Sequence, residues 1–527
     1  MKARTLLACC LLLLTLAACE RPDPVVTTAA TPAALIVPPT SPVTRPFSSS
    51  SDPALNPPTP LPGTFTPAPR LEPLTPLPTY VGTPTANPTA PQTEAQAATI
   101  THVVSGGETL GYIAQLYGSS IEELSTLNGL DESDFISVGQ VLLVPGSSEN
   151  YGPDFKLLPD SEVVYGPSLQ DFNVRDFLAQ FNGYLLTYGE EVEGQFLEGP
   201  EILALVARRF SVSPRVLLAL LEHRTGWVTG QGVADAGFAL GFTRAGTPGT
   251  LYFQLAAAAN ELNWGYYGHS EGGISSFLLG DGNRLAFAPG INSGTAGAQN
   301  MLGAHDSSTL AGWQADAGPD GFFATFNWMF GSPFAYTVDP LWPTGLTQPE
   351  LALPWPRGQT WYFTGGPHGG WAGGSAWAAL DFVPAGDQLG CYDSDDWITA
   401  MAPGLVVYSD FGGVVVDLDG DGFTGTGWVI TYMHLATRDR IPAGTYVNTG
   451  DALGHPSCEG GFSNGTHVHI TRTYNGRWVA ADGPIPFAMG GWLSQGLGGE
   501  YDGLLIKGDE SREACECREE LNAITNE

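Results

Sequence analysis

Gly465-Thr466-His467-Val468-His469-Ile470 carries two histidines one residue apart. On a strand, positions i and i+2 face the same side, so both imidazoles enter one space while Val468 and Ile470 face the other. Two imidazoles on one buried face repel if charged, and a divalent cation satisfies such a pair simply. An exposed strand face is the alternative, since a lone His-x-His costs nothing there. The surroundings add weight to the first reading. Tyr432-Met433-His434-Leu435 ends another run of strand character, and His368 and Asp381 lie in Gly-rich stretches able to approach the pair.

Outward from this run, residues 400–408, 413–417, 428–434 and 465–472 read as short strands separated by turn residues. Their spacing predicts an all-β antiparallel sandwich or barrel over 350–495. Gly365-Gly366-Pro367-His368, Leu380-Asp381-Phe382, Tyr432-Met433-His434-Leu435 and Asn464-Gly465-Thr466-His467-Val468-His469 follow one another in that order. Together they resemble the zinc metallopeptidases of the lysostaphin and β-lytic (staphylolysin-like) group, which are peptidoglycan hydrolases. The resemblance implies that His368, Asp381 and His469 bind one Zn2+, leaving a fourth position open for water. It implies that His434 and His467 polarise or deprotonate the attacking water and stabilise the oxyanion. In the lysostaphin-like form the first histidine precedes the aspartate by four positions, and Trp377 stands there in this chain. The wider separation of His368 and Asp381 matches the β-lytic branch.

Other signals in this region are weaker. Asp417-Leu418-Asp419-Gly420-Asp421-Gly422 resembles the start of a calcium loop, but its twelfth position is Trp428 instead of a bidentate Glu. An Asp/Gly hairpin turn is the simpler reading, with Ca2+ on Asp417, Asp419 and Asp421 as the alternative. His455 has no partner at ligand spacing. Trp355, Trp361, Trp371 and Trp377 belong either to a β core or to a substrate groove. Cys391, Cys458, Cys515 and Cys517 form an even set suited to an oxidising compartment, with Cys391–Cys458 the expected bridge and Cys515-Glu516-Cys517 a second pair. The acidic residues 496–527 read as a solvated, mobile tail.

Upstream, residues 101–146 alternate a short strand, two amphipathic helices bearing Leu110, Ile113, Ala114, Tyr117 and Ile121, Leu124, Leu127, and a closing strand at Val141 to Val144. Gly107-Glu108-Thr109-Leu110, Tyr117-Gly118, Asn128-Gly129-Leu130 and Gly139-Gln140 make this β-α-α-β unit resemble a LysM domain, which implies binding to the glycan of peptidoglycan. Residues 150–345 show helical periodicity, with Ser213 a plausible N-cap before Pro214. Leu218 to Trp227 resembles the glutamate-bearing helix and turn of a lysozyme-like fold, here in a degenerate form. Arg224 stands where that fold keeps its acid, and a guanidinium cannot protonate a glycosidic oxygen. Glu222 falls two residues earlier on the helix, so a non-catalytic role is expected for this α-rich region.

At the start of the chain, Lys2 and Arg4 precede an apolar run ending in Leu16-Ala17-Ala18-Cys19. This reads as a signal peptide over 1–18, and it resembles a bacterial lipobox that leaves Cys19 as a lipidated N-terminus. Residues 19–99 are Pro- and Thr-rich with few large apolar groups, a tether of on the order of 50 Å end to end. The expected location is therefore the outer surface or periplasm, with membrane contact through the lipid anchor only. The 527 residues suggest several domains. With 54 acidic against 21 basic residues and a formal charge of -33, the chain offers no basic footprint for nucleic acid. The leading expectation is a lipid-anchored zinc endopeptidase that cuts the peptide part of peptidoglycan. The alternative is a non-catalytic wall-binding lipoprotein that scaffolds or activates another hydrolase.

Overall fold

The computed structural model describes residues 99–527 apart from 105–109, 111–112, 114–120, 131–135, 138, 146–150, 231–236, 244–246 and 272–273. The expected signal peptide, the tether and Cys19 lie outside the described residues, except for Thr99. Among the described residues no helix is long and apolar enough to cross a membrane.

Strands β1 (Thr99–Val103) and β2 (Val141–Pro145) pair antiparallel, with helix α1 (Ile121–Asn128) packed on β2. Val104, Ile113, Leu124, Leu142 and Val144 form their small core. Ile121 is 54% exposed, so the helix buries a narrower face than its leucine spacing suggests. The first of the two expected helices lies largely outside the described residues.

The middle region is helical, as its periodicity predicts. Its main helices are α2 (Gly199–Phe210), α3 (Pro214–Thr225), α4 (Leu251–Ser270), α5 (Ser293–Gly303) and α6 (Phe322–Phe330). A capping box between Glu198 and Glu201 starts α2. Pro214 starts α3, and Gly226 at φ 65° ends it in the left-handed conformation that favours glycine. Ser213 does stand at the N-cap, but its hydroxyl donates to Glu162 instead of capping the helix. Two small hairpins join these helices, β3 (Gly189–Val192) with β4 (Gln195–Glu198), and β5 (Ser276–Leu278) with β6 (Arg284–Ala286).

The C-terminal half is built on one antiparallel nine-stranded sheet. Its strands are β7 (Thr360–His368), β8 (Ala379–Val383), β10 (Gly404–Asp410), β11 (Gly413–Asp417), β12 (Trp428–Met433), β13 (Tyr446–Val447), β15 (Val468–Tyr474), β16 (Arg477–Trp478) and β21 (Ala523–Thr525). They lie in the order β13-β10-β11-β12-β15-β8-β7-β21, with β16 paired to β15. A short pair, β9 (Ile398–Thr399) with β14 (Ala452–Gly454), stands beside it. One face buries Leu380, Phe382, Val416, Tyr432, Val468 and Ile470. The opposite face is divided: the histidines occupy one end, and Tyr165 and Leu205 of the helical region approach Val415, Thr431 and Thr473 at the other.

Residues 496–527 are not a mobile tail. Strands β17 (Ala488–Met489), β18 (Trp492–Gly496), β19 (Gly503–Lys507) and β20 (Glu510–Glu513) make a four-stranded sheet, and β21 closes the edge of the main sheet beside β7. Leu505, Asn522 and Ile524 are fully buried. Average acidity concealed this, because β19 and β21 each bury a single large side chain, Leu505 and Ile524, while β20 turns its charges to solvent.

Candidate metal centre and substrate groove

Strand register brings the sequence-separated residues together. Asp381 on β8 lies opposite His469 on β15, and His469 lies opposite Met433, one residue before His434. The β7–β8 turn-back sets His368 across from Ala379 and Gly365 across from Asp381. Thirteen positions in sequence thus become two along a ladder, while the intervening residues loop outward past Trp377. A Cβ at Gly365 would come 2.7 Å from Asp381 Oδ2, so glycine there leaves room for the carboxylate.

His368 Nε2 lies 3.0 Å from His469 Nδ1 and 3.4 Å from Asp381 Oδ1, and His469 Nδ1 lies 3.1 Å from the same oxygen. The other ring nitrogens face backbone carbonyls: His368 Nδ1 meets Gly366 O at 2.7 Å and His469 Nε2 meets Gly370 O at 3.1 Å. A carbonyl only accepts, so both protons are held on the outer nitrogens. Three acceptor atoms then converge with no donor among them, an arrangement that a cation resolves. Two imidazole nitrogens and one carboxylate with carbonyl support make a fitting zinc donor set.

Electrostatics agree with a demand for positive charge. Burial opposes ionisation of Asp381, yet the neighbouring His368 and His467 outweigh it and hold the carboxyl well below its usual range. Burial likewise opposes a charged His368, but Asp381 and the Gly366 carbonyl raise its pKa above the ordinary histidine value. Burial lowers His469.

His434 and His467 flank this trio, their ring centroids 4.4 Å apart. His434 Nδ1 donates to Glu459 O at 3.1 Å and His467 Nδ1 to Gly465 O at 2.7 Å, leaving Nε2 as the accepting nitrogen of each. His467 Nε2 lies 3.7 Å from Asp381 Oδ1. Burial, then the neighbouring His467 and His469, push His434 down to about 3. Its backbone sits at φ 65°, a left-handed conformation rare for a non-glycine residue and concentrated at functional sites.

All five residues line a groove of about 1590 Å³. Tyr501 joins them there, its ring stacked on His368 at 4.1 Å and 18°. Burial and the charges of Asp381, Glu500 and Glu516 push its hydroxyl up to about 12. Sequence reading missed Tyr501 because it stands in the segment read as tail; the Gly366, Gly370, Gly465 and Glu459 carbonyls carry no side-chain signal at all. Trp371 lines the groove, whereas Trp355 and Trp361 stack on each other in the core. Cys391 and Cys458 are bonded, as are Cys515 and Cys517.

The remaining candidates lie elsewhere. Asp417, Asp419 and Asp421 cluster in the β11–β12 turn, where backbone amides of Asp419, Gly422, Asp421 and Phe423 and the Thr426 hydroxyl donate to them. These bonds describe the hairpin turn, and calcium finds no support. His455 donates to Asp396 O and lies against Trp397 with the rings tilted at 42°. Glu222 accepts from Val228 N, Thr229 N and the Thr229 hydroxyl, and Arg224 pairs with Asp316 at 2.6 Å, so both residues tie the helical region together.

Comparison with known proteins follows the same division. Residues 102–145 match the family model of the LysM domain, and residues 156–343 match that of the LasA N-terminal domain. Protease LasA of Pseudomonas aeruginosa is 24% identical over 334 residues, which cover 57% of this chain and 75% of that protein. Beta-lytic metalloendopeptidase of Achromobacter lyticus is 28% identical over 169 residues, 30% of this chain and 41% of that one. The solved structure of the M23 metalloprotease pseudoalterin is 24% identical, covers 32% of this chain and 96% of its own, and has a TM-score of 0.27. The chain is thus similar to protease LasA and beta-lytic metalloendopeptidase, with segments that match the LysM and LasA N-terminal family models.

Proposed function

We propose that the protein is an exported zinc endopeptidase acting on the peptide stems or cross-bridges of peptidoglycan, held at its substrate by the LysM unit and by a lipid at Cys19. The observation that carries this reading is the convergence of His368 Nε2, Asp381 Oδ1 and His469 Nδ1 with both imidazole protons turned away onto carbonyls. These three atoms would hold the ion, which supplies Lewis-acid polarisation of the scissile carbonyl and acidification of water. His434, uncharged at neutral pH, and His467 present accepting nitrogens beside that point. They receive the proton of the attacking water, stabilise the developing oxyanion, and return the proton to the departing amine. An anchored glycan binder raises the effective concentration of such a site at an insoluble polymer.

Metal analysis combined with mass spectrometry of digested peptidoglycan tests the proposal. One zinc per chain and new free amino groups are expected. New reducing or anhydro sugar ends would indicate glycan cleavage instead, and no product from the zinc-loaded protein would favour the non-catalytic scaffold.

A further inference from the structure

His434 leaves β12 and turns at once into the left-handed backbone region, a conformation that persists only where its surroundings over-determine it. The hold comes from the loop between β14 and β15. Ser457, 1% exposed, donates to His434 O twice, from its amide at 2.6 Å and from its hydroxyl at 3.0 Å. The same hydroxyl oxygen accepts from Glu459 N at 3.0 Å. Glu459 in turn presents the carbonyl that receives His434 Nδ1. Ser457 also reaches the other accepting histidine, because its carbonyl accepts from His467 N at 3.4 Å in an isolated antiparallel bridge.

One hydroxyl therefore joins both ends of His434, its backbone carbonyl and the residue that anchors its ring. A hydroxyl can do this because a single small oxygen both donates and accepts. Alanine would leave the Glu459 amide without this acceptor and His434 O with one donor instead of two. The loop is stiffened from outside: Cys458, between the two partners, is bonded to Cys391, and Thr437 donates to the Glu459 carboxylate from its amide and its hydroxyl, each at 2.7 Å. Ser457 itself does not line the groove, so any effect it has on the reaction passes through the histidines. The tautomer of His434 is what it protects. A ring that loses its place against Glu459 O is able to carry its proton on Nε2, and a protonated Nε2 cannot accept.

We propose that Ser457 is the positioning residue of the two accepting histidines, its hydroxyl fixing the backbone and ring of His434 and its carbonyl fixing the backbone of His467. The proposal rests on the peptidase reading for what these histidines do, but the geometry it asserts is read without turnover.

The test uses the full chain loaded with zinc and labelled with 15N at histidine. In the parent, NMR of the ring nitrogens should show His434 protonated on Nδ1 alone, the signal being assigned by its absence in His434→Gln. Ser457→Ala should keep one zinc per chain, mix the two His434 tautomers, and lower kcat by about 10- to 100-fold while KM changes by less than about two-fold. Ser457→Gly, a second way to remove the hydroxyl, should do the same and serves where the alanine variant does not fold. Ser457→Thr, which keeps a hydroxyl, should restore the Nδ1 signal and most of the turnover. An unchanged ring signal and kcat in folded, zinc-loaded Ser457→Ala or Ser457→Gly overturns the proposal. So does a loss of turnover that is matched by loss of zinc or that Ser457→Thr does not recover. A parent without turnover would count against the peptidase reading, and the ring signals would still decide whether Ser457 holds His434.

Discussion

His434 shows how much of the site is set by one residue's surroundings. Its ring is buried, carries its proton on the side of Glu459 O, and is pushed down to about 3. With that depression it is uncharged at neutral pH, which suits an accepting nitrogen. Because it is not among the three converging ligand atoms, His434→Ala should keep zinc while lowering kcat by on the order of 10²–10⁴. Zinc content and turnover measured on one preparation check this; normal turnover would refute the role. The same depression has a stability consequence in chelator-treated protein. An unfolded chain protonates this histidine below about 6.5 and the fold does not until about 3, so the contribution is complete above 6.5 and is lost as pH falls through that window. At pH 4.5 the difference amounts to roughly 2–3 kcal/mol. His434→Gln should therefore lose less stability than the parent between pH 7 and 4.5 in denaturant titrations. The histidines were legible in the sequence because spacing on strands fixes facing. Their tautomers were not, since backbone carbonyls hold them.

At the scale of elements, three neighbouring strands do the assembling; β12 and β15 were foreshadowed by strand-like runs carrying or leading to a histidine, whereas β8, which holds Asp381, stands where the sequence reads as a Gly-rich loop. The last thirty residues were misread because charge density was averaged over strands whose inward positions are few. Ile524 shows the error most plainly: it sits opposite Trp361 with no exposed surface, between Ala523 and Thr525. Ile524→Ala should therefore cost about 2–4 kcal/mol, where a residue in a mobile tail would cost nothing. Urea denaturation measures this directly, and an unchanged midpoint would restore the tail reading. Because β21 borders β7, and β7 ends at His368, the variant should also weaken zinc retention before it unfolds the chain.

At the scale of the whole molecule, composition suggested a string of independent units, but the helical region and the C-terminal sheet share a core. Trp478 and Ala378 from the C-terminal half are buried among the residues of α2, α3 and α4. Trp478 Nε1 donates to Phe210 O and its amide donates to Tyr267 Oη, while Ser211 Oγ donates to Gly476 O and Arg477 pairs with Glu271 at 2.7 Å. No sequence pattern announces such a junction, because a tryptophan that fills a neighbouring region reads the same as one that fills its own. The coupling predicts that both parts unfold in one calorimetric transition. Trp478→Ala, which leaves a large cavity at the seam, should lower stability by about 3–5 kcal/mol and separate the transition into two. If the parent already melts in two well-separated steps, with the helical region lost first and peptide binding retained, the shared core does not hold the parts together. A single step that splits only in the variant is the outcome expected of two regions fixed by one interior.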